Sequence, residues 1–141
     1  YMANIIIQDL KYLGAVSWCS WTAVNGDGLI DIDNGNLKLF NRYNAYMHFS
    51  RFIKPGAVRI DTMNNKSDSQ IESIAFKDGD SIILVLVNNA GDSQKIEFSG
   101  MRGKYEMYLS DATHNCEKYQ SGSMLLSHEM PPRSIETIIV R

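Results

Sequence analysis

Long apolar runs are missing from this sequence. The longest, Ile82-Ile83-Leu84-Val85-Leu86-Val87, has the length of a strand and falls far short of the ~18 residues a membrane-spanning helix needs. A surplus of charge is missing as well. Fourteen Lys and Arg stand against 16 Asp and Glu, a net charge of −2, and the basic residues come singly. That removes the electrostatic case for nucleic acid or an anionic membrane surface as a partner. Cysteine is scarce: Cys19 and Cys116 belong to no CxxC pair, and the three histidines are scattered, so no zinc-like spacing arises. The two thiols read as buried and free. There is no glycine-rich phosphate loop, no G-x-S-x-G elbow and no Cys/His pairing, and no cofactor is implied. A signal peptide and an initiator methionine are also absent at Tyr1, which leads us to expect a chain that begins inside a longer polypeptide.

What is present divides near residue 54. Met2, Ile6, Leu10 and Leu13 recur at helical spacing, with Gly14 as the stop; this predicts an amphipathic helix. Ala15-Val16-Ser17-Trp18-Cys19-Ser20-Trp21 is short and uncharged, the composition of a strand buried on both faces. A loop rich in Asn, Asp and Gly (25–36) leads to a second helix over 41–53, where Tyr43, Tyr46, Met47, Phe49 and Ile53 keep helical spacing. Helix, strand, long loop and helix follow each other as in an α/β barrel. After Pro55-Gly56 the grammar becomes β. Seven short runs (57–63, 71–76, 82–87, 95–98, 105–109, 124–126 and 135–140) alternate with turns such as Asp78-Gly79-Asp80 and Ala90-Gly91-Asp92-Ser93. The expected fold is mainly β: an antiparallel sandwich (55–141) preceded by a helix–strand–loop–helix remnant of a (β/α)8 barrel (1–54).

Candidate chemistry is sparse. Asn25-Gly26-Asp27-Gly28-Leu29-Ile30-Asp31 imitates the middle of a calcium loop. Its first and twelfth positions would be Ala23 and Asn34, so the opening Asp and closing Glu are missing and no metal site is assigned. The six glutamates, Glu72, Glu97, Glu106, Glu117, Glu129 and Glu136, all lie in the β half and read as solvent-facing strand positions. His48 reads as a helix-face or packing residue, His114 and His128 as loop residues. Trp18 and Trp21 flank Ser20. Trp18 suits core packing. Trp21, at the carboxyl end of the expected strand, is equally suited to packing or to stacking on the C–H face of a sugar.

The junction His48-Phe49-Ser50-Arg51-Phe52-Ile53-Lys54-Pro55-Gly56-Ala57-Val58-Arg59-Ile60 resembles that of glycoside hydrolase family 30, which includes glucosylceramidases, endo-xylanases and endo-β-1,6-glycanases. There the last barrel helix passes into a β-sandwich. Val16-Ser17-Trp18-Cys19-Ser20-Trp21 is similar to the family's eighth barrel strand. Ile74-Ala75-Phe76, Val85-Leu86-Val87-Asn88 and Ser134-Ile135-Glu136-Thr137 are similar to its sandwich strands. The resemblance covers essentially the whole chain. It implies a retaining β-glycosidase, whose two catalytic glutamates lie about 5 Å apart after barrel strands four and seven, both ahead of Tyr1. This chain would then be the C-terminal part without a catalytic residue of its own. Trp21 would line the sugar pocket, with Trp18 and Ser20 as second choices for that role. Ser20 stands where some relatives carry Asp.

The expected partners are a β-linked glycan and the remainder of the barrel, in an extracellular or periplasmic setting. Detached from that barrel, Ile6, Leu10, Val16 and Phe49 would expose an apolar surface and favour self-association. A different class of function, an autonomous carbohydrate-binding sandwich, would need a row of exposed aromatics, for which Tyr105, Tyr108 and Tyr119 are the candidates. A calcium-dependent module is a third.

Overall fold

A computed structural model describes the chain except for Asn25 and residues 66–68. Helix α1 (Met2–Lys11) presents Ala3, Ile6 and Ile7 to the core, a stripe at i, i+3 and i+4. It stops where Gly14 takes a positive φ of 66° and the Ala15 N–H reaches back to the Asp9 carbonyl at 3.0 Å, a left-handed cap that suits glycine.

The next segment departs from expectation. Residues 15–21 form no strand, and Val16 is fully exposed. A strand buried on both faces depends on neighbours for its backbone hydrogen bonds, and none lies beside this one among the described residues. Cys19 is accordingly exposed, whereas Cys116 is buried and both are free. The expected long loop is in fact a hairpin, β1 (Ile30–Asp33) paired with β2 (Asn36–Leu39). Asn34 and Gly35 supply its two-residue turn at φ 49° and 81°, the left-handed pair a primed turn requires.

Helix α2 (Asn41–Ser50) buries Asn44, Ala45, His48 and Phe49. Beyond Gly56 come β3 (Val58–Ile60), β4 (Ile71–Asp78), β5 (Ser81–Asn88), β6 (Gln94–Glu97), β7 (Arg102–Ser110), β8 (Asn115–Met124), β9 (Ser127–Met130) and β10 (Ile135–Val140). The expected run at 124–126 thus falls at the junction of two strands, and His128 lies in β9 rather than in a loop. The main sheet is antiparallel with order β3-β4-β5-β10-β7-β8, and β6-β9 makes a second, two-stranded sheet.

Strand pleating sorts the interior into two clusters. Ile83, Val85, Val87 and Ile139 face Ile6, Ile7, Phe49 and Phe52 of the helical segment. Leu84, Leu86, Met107, Ile138 and Val140 lie on the other side with Met130 of β9. Ile6 and Phe49 are therefore buried, and Leu10 packs beside them; only Val16 of the four stands exposed as anticipated. Each full burial of such a side chain is worth about 1.5–3 kcal/mol. The helices thus share one apolar core with the sandwich. Strand β10, central in the sheet, carries the site of the largest departure. Glu136, read as solvent-facing, is completely buried, because its pleat position points toward β9 rather than to water.

Candidate functional site

Between α1 and the hairpin, two tryptophans three residues apart have opposite fates. The Trp18 indole Nε1 donates to Asp9 Oδ2 at 2.9 Å, and its ring meets Tyr46 of α2 at a centroid distance of 5.7 Å. It ties the segment to both helices. Trp21 is 98 % exposed and makes no ring contact among the described residues. Ser20 lies between them, half-buried, with its Oγ donating to the Thr22 carbonyl at 2.9 Å. The hydroxyl is therefore engaged by its own turn. The structure brings Trp18 into packing and presents Trp21 to solvent.

The loop that follows is closed by its own backbone. The Ala23 carbonyl accepts from the N–H groups of Leu29 and Ile30, both at 2.9 Å. Arg42 reaches in from α2, donating through Nη2 to the Gly26 carbonyl at 2.7 Å and through Nε to the Gly28 carbonyl, while its guanidinium lies 4.4 Å from the Phe40 ring centre. A cationic side chain thus occupies carbonyls in the stretch that resembled a calcium loop. Asn25, its third position, lies outside the described residues. Asp31 and Asp33 accept from Ile32 N–H and Asn34 Nδ2 of the hairpin. Among the described residues no three His, Cys, Asp or Glu side chains converge as metal ligands.

Several titratable groups on α2 and the sandwich are committed to structure. Burial, reinforced by the nearby Arg51 charge, lowers the His48 pKa to about 3, so the ring is neutral. Burial likewise pushes the Cys116 thiol up, away from nucleophilic use. Glu106 is held below the usual carboxylate range by bonds from Lys118 and Arg141. Glu136 accepts from His128 Nε2 at 2.7 Å through one oxygen. The glutamates lie on β4, β6, β7, β8, β9 and β10, none on the tryptophan segment. The exposed aromatic row required of an autonomous sugar-binding sandwich does not form: Tyr105 is buried, Tyr108 packs on Phe52 at 4.5 Å, and Tyr119 alone of the three is exposed. Sequence reasoning missed the His128–Glu136 pair; its signal, a Glu in an otherwise apolar strand, was available.

An antiparallel sandwich whose main sheet is covered on its other face by two helices is the class this fold defines. The profile of the glycosyl hydrolase family 30 β-sandwich domain matches residues 56–138. The chain belongs to glycoside hydrolase family 30. A Caenorhabditis elegans protein named for glucosylceramidase activity is 30 % identical over 97 residues, which is 69 % of this chain and 16 % of that protein. The Bacillus subtilis glucuronoxylanase XynC is 26 % identical over 100 residues, 67 % of this chain and 23 % of that one. Among solved structures, the catalytic domain of a family 30 xylanase C from Talaromyces cellulolyticus superposes with a TM-score of 0.83 at 27 % identity, covering 99 % of this chain and 34 % of that one. A conserved exported protein from Bacteroides fragilis gives 0.90 at 25 % identity, covering 99 % and 33 %. The chain therefore spans a sixth to a third of the length of these relatives.

Proposed function

We propose that this chain is the C-terminal structural part of a retaining β-glycosidase acting on polysaccharide or glycolipid. Its helices and tryptophan segment are the last units of the catalytic barrel, and the catalytic carboxylates belong to the rest of that enzyme. The observation that carries this reading is the pairing of Trp18 and Trp21. One indole anchors the segment to α1 and α2, and the next holds its whole ring in solvent three residues beyond that anchor. An indole face presented in this way stacks on the C–H surface of a pyranose. The sandwich stiffens the helices behind it. Family membership supports the chemistry.

On this reading the chain alone hydrolyses nothing, since a sugar platform supplies binding without transition-state stabilisation. Leu13, Val16, Ile32 and Leu37 are all more than half exposed, apolar side chains for the rest of the barrel to cover; without that cover the chain associates with itself. No helix among the described residues is long and apolar enough to cross a membrane. The likeness to an exported protein supports an extracellular or periplasmic setting.

Titration with β-linked oligosaccharides, followed by tryptophan fluorescence, tests the proposal. Saturable quenching that disappears in Trp21→Ala supports it. Saturable binding that survives the substitution transfers the function to a binding module elsewhere on the sandwich, and silence toward every sugar leaves Trp21 without a role.

A further inference from the structure

Asp9 is an acid in an unfavourable place. It lies in the last turn of α1, where the unpaired carbonyls of a helix end disfavour negative charge. Among the described residues no Lys, Arg or His stands within ion-pair distance of it. Its carboxylate is half-buried and takes one neutral donor, the Trp18 indole Nε1, at 2.9 Å. A side chain that breaks a local rule without a local gain points to a gain elsewhere.

Asp9 holds the segment that follows at two points. Its carbonyl accepts from Ala15 N–H at 3.0 Å, a bond that any residue at this position could make. Its carboxylate accepts from Trp18, a bond that needs an acceptor side chain here, and the same indole rests against Tyr46 of α2. Downstream, the Ala23 carbonyl is held by the N–H groups of Leu29 and Ile30. Residues 19–22 therefore run between two fixed points, drawn in by the Ser20 Oγ bond to the Thr22 carbonyl, and Trp21 is among them. No strand neighbour supports residues 15–21 among the described residues, so these ties decide where the backbone of Trp21 lies.

We infer that Asp9 is the positioning residue for Trp21: through the Trp18 indole it fixes the backbone from which the exposed ring extends. An indole N–H can only donate, and an ionised oxygen holds it more strongly than a neutral acceptor does. Asp9 acts through Trp18 and not on a ligand. That the positioned ring serves a sugar rests on the platform reading of Trp21; the mechanical tie between Asp9 and Trp21 does not.

Asp9→Leu removes the acceptor and Asp9→Asn keeps an amide oxygen in its place. Both are titrated with xylotetraose and cellotetraose, read by tryptophan emission, and melted in the same buffer. Asp9→Leu is expected to weaken saturable quenching roughly five- to tenfold, the scale of one lost charge-assisted contact. Its Tm is expected to stay near that of the unaltered chain, because leucine relieves the charge at the helix end and water reaches the half-buried indole. Asp9→Asn is expected to recover most of the affinity. Trp18→Phe keeps a ring beside Tyr46 without the N–H; it is expected to match Asp9→Leu, and the two combined to lose nothing further. Full affinity in Asp9→Leu overturns the proposal, as does a loss that merely follows Tm or that adds to the loss in Trp18→Phe.

A second readout needs no sugar. The chain has two tryptophans, so fluorotryptophan labelling gives one fluorine resonance for each, assigned by Trp18→Phe. Asp9→Leu is expected to narrow the Trp21 line as its backbone loosens. A Trp21 line left unchanged while the Trp18 line moves overturns the proposal. Absence of sugar quenching in the unaltered chain removes the platform reading and leaves Asp9 to be judged by that line, so either can fail while the other stands.

Discussion

His48 on α2 and Thr137 on β10 are joined twice. His48 Nδ1 lies 2.8 Å from Thr137 Oγ1, and Thr137 Oγ1 donates to the His48 carbonyl at 3.2 Å. A hydroxyl that gives its proton to the carbonyl must accept from the ring, so Nδ1 carries the hydrogen. Nε2 is then the acceptor for Ser110 Oγ at 2.8 Å, and Ser110 Oγ in turn accepts from Cys116 N–H at 2.8 Å. One neutral tautomer satisfies every partner. The helix is thereby pinned to two strands of the main sheet.

Acid should unpin it. The folded pKa of about 3 lies below the ordinary value of 6.5, so the unfolded chain binds this proton first. Stability from the neutral ring is complete above pH 6.5 and falls as pH drops toward 3, by up to about 1.4 kcal/mol per unit. Urea midpoints measured between pH 7 and 4 are expected to fall with acidification, and His48→Gln is expected to flatten that slope while lowering stability at pH 7. An identical slope in the variant would contradict the assignment.

His128 and Glu136 make the corresponding tie on the other face, linking β9 to β10 at 2.7 Å with both side chains nearly or wholly buried. The second oxygen, Glu136 Oε2, meets no donor. Removing the histidine strands a buried carboxyl, so His128→Ala is expected to cost about 3–5 kcal/mol. Replacing both residues with leucine should recover much of that loss, since an apolar pair has nothing to leave unsatisfied. Denaturant unfolding of the two variants decides: a double variant as unstable as the single one argues that size, rather than an unsatisfied carboxyl, governs the site.

These two ties mark the boundary of what the sequence discloses. Strand β10 and the turn at Gly79 are legible because apolar periodicity and a short Asp-Gly-Asp punctuation are local signals. The Asn34-Gly35 turn is just as local, but Ile32, Leu37 and Leu39 flank it without a buried face to share, and the polar composition around it reads as loop. Glu136 misleads for the opposite reason. A single acid in an amphipathic strand looks solvated unless the strand is known to be central and covered, and that depends on β9, whose residues Ser127, His128 and Glu129 carry almost no strand signal. The tryptophan pair was named from sequence, with Trp18 read as the packing indole, but its partners Asp9 and Tyr46 gave no local signal.

Glycines give a sharper test of packing. At Gly103, with φ 125°, an added Cβ would lie 2.2 Å from the Arg141 carbonyl oxygen, which accepts from Lys104 N–H at 3.0 Å. Backbone cannot swing aside as a side chain can, so Gly103→Ala is expected to cost more than about 2 kcal/mol. Gly91 has ordinary φ and nothing within 4 Å; Gly91→Ala should change stability by about 0.5 kcal/mol or less. Thermal melts of the pair, under one buffer, are sufficient.

Trp18 and Trp21 are chemically the same side chain three residues apart, and the structure predicts that they fail differently. Trp18→Ala removes the bond to Asp9 and the contact with Tyr46. Because the ring is only partly buried, the loss should be about 1–3 kcal/mol, below the 3–5 typical of a fully buried aromatic. Trp21→Ala removes a ring that is 98 % exposed, so stability should move by less than about 0.5 kcal/mol. Sugar binding should follow the reverse order: abolished by Trp21→Ala, and only weakened by Trp18→Ala through loss of support. Melting temperature and oligosaccharide affinity, measured on both variants, separate the roles. If Trp21→Ala destabilised the fold as much as Trp18→Ala, the exposed indole would be a packing residue and the platform argument would fall.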